Sequence, residues 1–416
     1  MRVLVISGKG AENIGELLFS MLPEFFLLVF VGIVAVGFVR NSEKTKLTWF
    51  DIVFLGFIVT NIVLGLILSA NVHVSIYAVR LTYLPMIFYF VARFGLQHDQ
   101  ATYERILEKL NLIFVATAVV GLLIYFFAIG IDDYMVERAD GIVNFYCIRR
   151  MNSILWTPVV WATLMGVASV YNFYKLNKKF SYKSLLFFLI VWTSLFLSVS
   201  RGAFLAFTVC FILLVFFQRR IKTLLIILIS CSIIVGLLTI WDREVARVCK
   251  FLVLSPVYTA MNMIGVGSNQ QTLLLENAID ETRTQFWHSA INDFLKQPYG
   301  YGLGKAGHVA RRFYGFDDTN ASVYSTDGWY LKMACETGVW GILSFLTICV
   351  IFFIQSVKYL IKDRSSIFLF FFLVFIFVGI QNIGSNVLDF YFFANLYWLI
   401  IGFAQNMIND ARIRAK

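Results

Sequence analysis

Apolar runs of about 20 residues follow one another along almost the whole chain, and a bilayer core about 30 Å thick needs runs of that length. They fall near 20–39, 49–70, 74–93, 111–130, 154–173, 184–200, 203–218, 222–241, 336–357, 366–386 and 391–408. The expected fold is an all-α polytopic membrane protein with roughly eleven transmembrane helices, within a range of about ten to twelve. Composition agrees: 59% of the 416 residues are apolar and 14% charged, with a mean hydropathy of +0.77, beyond what a water-facing globule tolerates. Segments such as Ser366–Ile376 are apolar on every side, which excludes the ten-residue alternation of a β-barrel.

Short cytoplasmic loops hold an excess of Lys and Arg, so the basic junctions set the expected orientation. Every second junction is basic: Arg40/Lys44/Lys46, Arg93/Arg105/Lys109, Lys175/Lys178/Lys179/Lys183, Arg219/Arg220/Lys222, Lys358/Lys362/Arg364 and Arg412/Arg414/Lys416. The alternate junctions then face outward: residues near 71–74, the loop 131–153, the turn at Arg201, the long loop 242–335 and the turn near 387–390. The parity places the amino terminus outside. Residues 1–19 are either too polar to span or form a short or re-entrant first helix, and no cleavable leader is expected there, since a compact apolar core followed by a small-residue cleavage site is not evident. The organisation is a single membrane-embedded domain, 1–416, with 242–335 inserted between late helices.

The outward loops are basic where the same rule should strip them of charge. Arg138, Arg149 and Arg150 lie in 131–153, and Arg243, Arg247, Lys250, Arg283, Lys296, Lys305, Arg311, Arg312 and Lys332 lie in 242–335. Arg80 and Arg201 stand at the outer ends of apolar spans, where a charge costs roughly 2.5 to 3.5 kcal/mol on insertion scales. Either these side chains snorkel to lipid phosphates and pair with acids such as Asp132, Asp133, Glu137, Asp280 and Glu281, or they line an outward cavity for an anion. The planar fork of arginine suits bidentate contact with phosphate, so the second reading points to a lipid pyrophosphate.

Other classes find little support. The net charge of +10 is spent on topology, without a recognition motif for nucleic acid. The six cysteines show no CxxC or Cys/His spacing, so no metal is expected; Cys147 and Cys249 both fall in outward loops and are the one candidate disulfide. His73, His98, His288 and His308 are scattered, and the glycines of 300–307 do not match a phosphate-binding P-loop. Within 242–335, Asn277–Leu295 sets Ile279, Phe286, Ala290 and Phe294 near helical spacing, and Pro298 with the following glycines ends that helix. Residues 256–272, rich in Gly, Asn, Ser and Gln, read as a mobile segment. The loop is then either a hinged lid or an ordinary loop packed on the bundle.

Three motifs carry a family resemblance. Ser198-Val199-Ser200-Arg201-Gly202 resembles an S-x-S-R-G signature at the outer end of a helix. Arg283, Trp287, Pro298 and Gly300-Tyr301-Gly302-Leu303-Gly304 resemble an R…W…P-x-G-x-G-L-G stretch. Ser325-Thr326-Asp327-Gly328-Trp329-Tyr330-Leu331, then Glu336-Thr337-Gly338-Val339-Trp340-Gly341, resembles H/D-N-x-Y-L…E-x-G-x-x-G. In this order they resemble the O-antigen polymerase and O-antigen ligase superfamily of bacterial envelope glycosyltransferases, over about residues 75–350. The architecture implied is similar to that of GT-C-type membrane glycosyltransferases. Ligases of the group carry a histidine where this chain has Asp327, and the usual Asn is Gly328, so the resemblance favours a polymerase of the Wzy type.

The resemblance implies glycosyl transfer at the periplasmic face of the bacterial inner membrane. A glycan leaves its polyprenyl pyrophosphate and joins a hydroxyl of another lipid-linked repeat unit. Pyrophosphate is a competent leaving group, so fixed positive charge suffices and neither cofactor nor metal is expected. Arg201 and Arg283 are the first choice for that clamp, with Arg80, Arg149, Arg150 and Arg311 as substrate contacts. Asp327 either orients or deprotonates the acceptor hydroxyl, or caps the helix that starts at Gly328. His288 and His308 are read as structural or peripheral. The expected partners are polyprenyl-pyrophosphate-linked oligosaccharides, membrane lipids and a chain-length-regulating membrane protein, with no nucleic acid. The alternatives are a ligase acting on lipid A core and a transporter of the same lipids, although no internal repeat of the transporter kind is evident.

Overall fold

The computed structural model describes residues 47–69, 71–95, 100–127, 151, 157–218, 221–241, 287–314, 328–363 and 367–414, with Gly32 alone upstream. Every regular element among them is helical. In chain order these are α1 (Trp49–Ile67), α2 (Val72–Thr82), a 3-10 turn (Leu84–Met86), α3 (Ile87–Phe90), a π-helical turn (Val91–Gly95), α4 (Gln100–Phe127), α5 (Pro158–Lys178), α6 (Tyr182–Leu197), α7 (Arg201–Gln218) and α8 (Ile221–Trp241). There follow α9 over 287–296, α10 (Gly307–Tyr314), α11 (Trp329–Lys362), α12 (Phe368–Gly384), a 3-10 turn (Val387–Asp389) and α13 (Tyr391–Arg414).

Six of these stretches are long and apolar enough to cross a membrane, the broken segment Val72–Gly95 among them, and α6 and α12 are shorter apolar helices. Apart from Gly32, the expected span 20–39 lies outside the described residues, as do the Cys147/Cys249 pair and residues 256–272. The second span is broken for a visible reason: Pro85 in the 3-10 turn has no N–H to continue the ladder. Helix ends carry their own signals. Thr48 and Asp51 form a reciprocal capping box on α1, and Thr157 caps α5 with Pro158 in its first turn.

Helix α5 is buried along nearly its whole length and forms the centre of the bundle. Asn172 on α5 and Asn111 on α4 exchange amide hydrogen bonds of 2.7 and 3.0 Å, so each satisfies the other inside the apolar interior. An aromatic layer of Phe50, Phe54, Tyr89 and Trp398 joins α1, α3 and α13; the rings of Phe54 and Trp398 lie 5.0 Å apart.

Two polar clusters mark the two ends of the bundle. At one end the Arg93 guanidinium donates to Asp51 at 3.1 and 3.2 Å and to Asn406 Oδ1 at 2.7 Å. Tyr89 also donates to Asp51, and the Asn406 amide donates to Ala92 O and Tyr103 Oη. Arg93, counted in the sequence among basic junction residues, is thus an interior side chain, within the π-helical turn, whose charge Asp51 neutralises. Lys175–Glu108 and Lys178–Glu104 pairs lie at the same end on the exposed surface. The other end carries the turn after α1, the turn before α7, α10, the start of α11 and the turn after α12, and it holds the candidate site.

Candidate functional site

The site starts from a broken helix. Gly338 adopts φ 68° and ψ −156° inside α11, a conformation that only glycine takes without strain and that interrupts the ladder. The break exposes carbonyls that a bilayer would leave costly and unpaired. They are satisfied by the glycine-rich segment: Tyr301 N–H donates to Cys335 O at 2.8 Å, and Gly302 N–H donates to Glu336 O at 2.9 Å. In return Val339 N–H donates to Pro298 O at 2.8 Å.

The same segment is stitched to the first helical pair. Leu303 N–H donates to Gly65 O at 3.2 Å, and the Ser75 hydroxyl donates to Leu303 O at 3.0 Å. Gly302 has φ 91°, and a Cβ there would stand 2.7 Å from Ser69 Cα, so the close approach excludes a side chain. The glycine spacing of 300–304 and the Glu336-Thr337-Gly338 triplet are therefore two halves of one joint. A loop so fastened over 298–304 is packed on the bundle at that stretch, which answers one of the two readings for these residues. The expected helix before it is described from residue 287, with Ala290 buried against Ala306 and Cys335, His288 exposed, and an end before Pro298.

Below the joint lies a buried charge cluster. Lys332 Nζ donates to Thr82 Oγ1 at 2.7 Å and to Asp389 Oδ1 at 2.5 Å, and the Thr82 hydroxyl donates to Asp389 Oδ1 at 3.3 Å. One turn after Lys332, Glu336 Oε1 accepts from Gly304 N–H at 2.9 Å. Asn386 Oδ1 accepts from Gly328 N–H at 3.2 Å and so fixes the start of α11. Two carboxylates and one ammonium are buried together, and Glu336 Oε2 and Asp389 Oδ2 receive no hydrogen bond from the described residues. A Cβ placed on Gly307 would lie 3.0 Å from Lys332 Cδ and 3.3 Å from Asp389 Oδ2, so the amino terminus of α10 rests on the ion pair. The dipole of that helix favours the carboxylates beneath it.

The residues expected from the sequence distribute as follows. Arg201 is the first residue of α7 and is half-buried. It follows a turn in which Val199 holds φ 53°, rare for a β-branched residue, and the Ser198 side chain donates to Leu195 O at 2.5 Å and accepts from Ser200 N–H at 3.4 Å. Arg80 is half-buried on α2, two residues before Thr82. Arg311 lies on α10. Arg283, Asp327, Arg149 and Arg150 lie outside the described residues. Helix α10 spans the gap between α2 and the turn before α13: the Phe313 ring meets Tyr77 at 5.3 Å and His73 at 6.0 Å, and the His308 ring meets Phe390 at 4.9 Å.

In the sequence Lys332 is one more loop cation, Glu336 is part of a motif, and Asp389 does not stand out. A signal was present: Lys332 and Glu336 are four apart at the start of an apolar helix, and Asp389 is the one acid in an apolar turn.

These features define a class: a polytopic helical membrane protein in which a glycine-rich loop completes a broken helix above a buried charge cluster. Residues 186–346, from α6 through the Arg201 turn and the loop joint into α11, match the sequence profile of the O-antigen ligase family. That is less than half of the chain, and the match is to the wider group rather than to polymerase over ligase. No curated protein matches the chain.

Proposed function

We propose that this protein is a bacterial envelope glycosyltransferase of the O-antigen polymerase type. It joins polyprenyl-pyrophosphate-linked repeat units at the periplasmic face of the inner membrane. The observation that carries this reading is the joint between Pro298–Gly304 and Glu336–Gly338, because it unites two of the three resembling motifs within the matched stretch 186–346. The third motif, Ser198–Gly202, forms the turn into α7, which starts at Arg201.

The chemistry asked of the protein is modest. The anomeric C–O bond to pyrophosphate breaks as the acceptor oxygen bonds to the same carbon, and negative charge grows on the departing pyrophosphate. Arg201 and Arg283 hold that charge with preorganised donors, Arg80, Arg149, Arg150 and Arg311 contact the substrate, and Asp327 orients or deprotonates the acceptor hydroxyl. The aspartate at 327, in place of a ligase histidine, favours another repeat unit as acceptor. The description of the matched family favours a second reading, transfer to lipid A core.

Purified protein in lipid vesicles, given lipid-linked repeat units without nucleotide or metal, tests the reading. A ladder of lengthened glycans is expected. Transfer only to added lipid A core supports the ligase reading instead, and movement of lipid across the vesicle without any transfer rejects both.

A further inference from the structure

We propose that Glu336 is a positioning residue of this reaction: its carboxylate sets the place of Gly300–Gly307 and, through that segment, of α10 with His308 and Arg311. The inference rests on the function proposed above. Residue 336 holds the segment by its main-chain carbonyl to Gly302 N–H and by its side-chain Oε1 to Gly304 N–H, each at 2.9 Å, and the Ala306 N–H also faces the carboxylate. Its side chain is fully buried, so water does not compete for the bond to Gly304.

The position of α10 depends on this anchor. Its amino terminus follows Gly304 by three residues and sits on Lys332 and Asp389, with His308 against Phe390 beside it, while its far end is held by ring contacts of the exposed Phe313. Removing the Glu336 acceptor leaves Gly304 N–H buried without its partner, and relief comes from the segment lifting away. The main-chain bonds at Tyr301 and Gly302 then lose their register with the Gly338 break. A displacement of about 1 Å in a substrate-holding element is enough to cost up to about 10²-fold in rate.

The bond to Gly304 needs an acceptor, not a charge, and this separates positioning from chemistry. Glutamine keeps an oxygen at Oε1, whereas alanine does not. The experiment uses the full chain in lipid nanodiscs, with amide hydrogen exchange over 298–307 and initial rates of glycan extension at varied lipid-linked donor. E336A is expected to speed exchange at Tyr301, Gly302 and Gly304 and to lower kcat/KM by about 10- to 100-fold. E336Q is expected to keep the protection and at least about a third of kcat/KM. S75A, which removes the donor to Leu303 O from the other side, is expected to shift both readouts in the direction of E336A by a smaller factor. Faster exchange in E336A with unchanged kinetics overturns the role, and so does an E336Q protein that keeps protection yet is as slow as E336A, because the charge would then be what matters. Wild-type protein that extends no glycan overturns the proposed function and this role with it.

Discussion

Lys332 and Asp389, 57 residues apart in sequence, meet at 2.5 Å with both side chains at 0% exposure. The pair ties the start of α11 to the turn between α12 and α13, and Thr82 joins α2 to both. Buried pairs of this kind repay their desolvation only while both partners remain, and removing one strands the other at a cost of about 3 to 5 kcal/mol.

Lys332→Ala should therefore destabilise the protein by about 3 to 5 kcal/mol, and Lys332→Met combined with Asp389→Leu by less, the remaining loss coming from Glu336, which is buried in the same cluster and also loses its cation. Thermal unfolding in detergent, followed by the loss of monodisperse protein, checks the order. A double variant as unstable as Lys332→Ala alone would show that the pair is not the source of the loss.

Gly338→Ala should be costly although the change is one methyl group. Alanine at φ 68° and ψ −156° carries backbone strain of about 1 to 3 kcal/mol, and its Cβ would collide with the carbonyl of Pro298. The expected result is lower stability with faster amide exchange at Tyr301 and Gly302. Unchanged exchange would mean that the loop joint does not depend on the break.

The proposed orientation rests on the distribution of charge. A reporter inserted within 242–335 should read external, and reporters at Lys178 and at the carboxyl terminus should read cytoplasmic, as the alternation of basic junctions requires. An internal long loop would remove the site from the compartment of its substrate.

Much of the bundle was legible because lipid imposes one length on every span: the readings 49–70, 203–218 and 222–241 fall within a few residues of α1, α7 and α8. The reading failed where polarity and pairing compete. The span read as 336–357 is helical from Trp329, since Lys332 and Glu336 depress the hydropathy of residues that are in fact buried. Arg93 looks like a junction charge until Asp51, 42 residues away, is brought beside it. The glycines of 300–304 were legible as a turn, but their partner, the break at Gly338, was not, because a hydrogen bond from loop to helix carries no periodicity.

The central claim is that fixed arginine charge drives the departure of pyrophosphate, and Arg201 at the first turn of α7 is its most direct test. Glycan ladder length and amount should be measured for Arg201→Ala and Arg201→Lys at matched levels of inserted protein. The account predicts that alanine lowers extension by about 10² to 10³, or about 3 to 4 kcal/mol, and that lysine restores only part because it lacks the two-pronged fork. Full extension by Arg201→Ala would contradict it and leave Arg201 as a side chain that reaches to lipid phosphate.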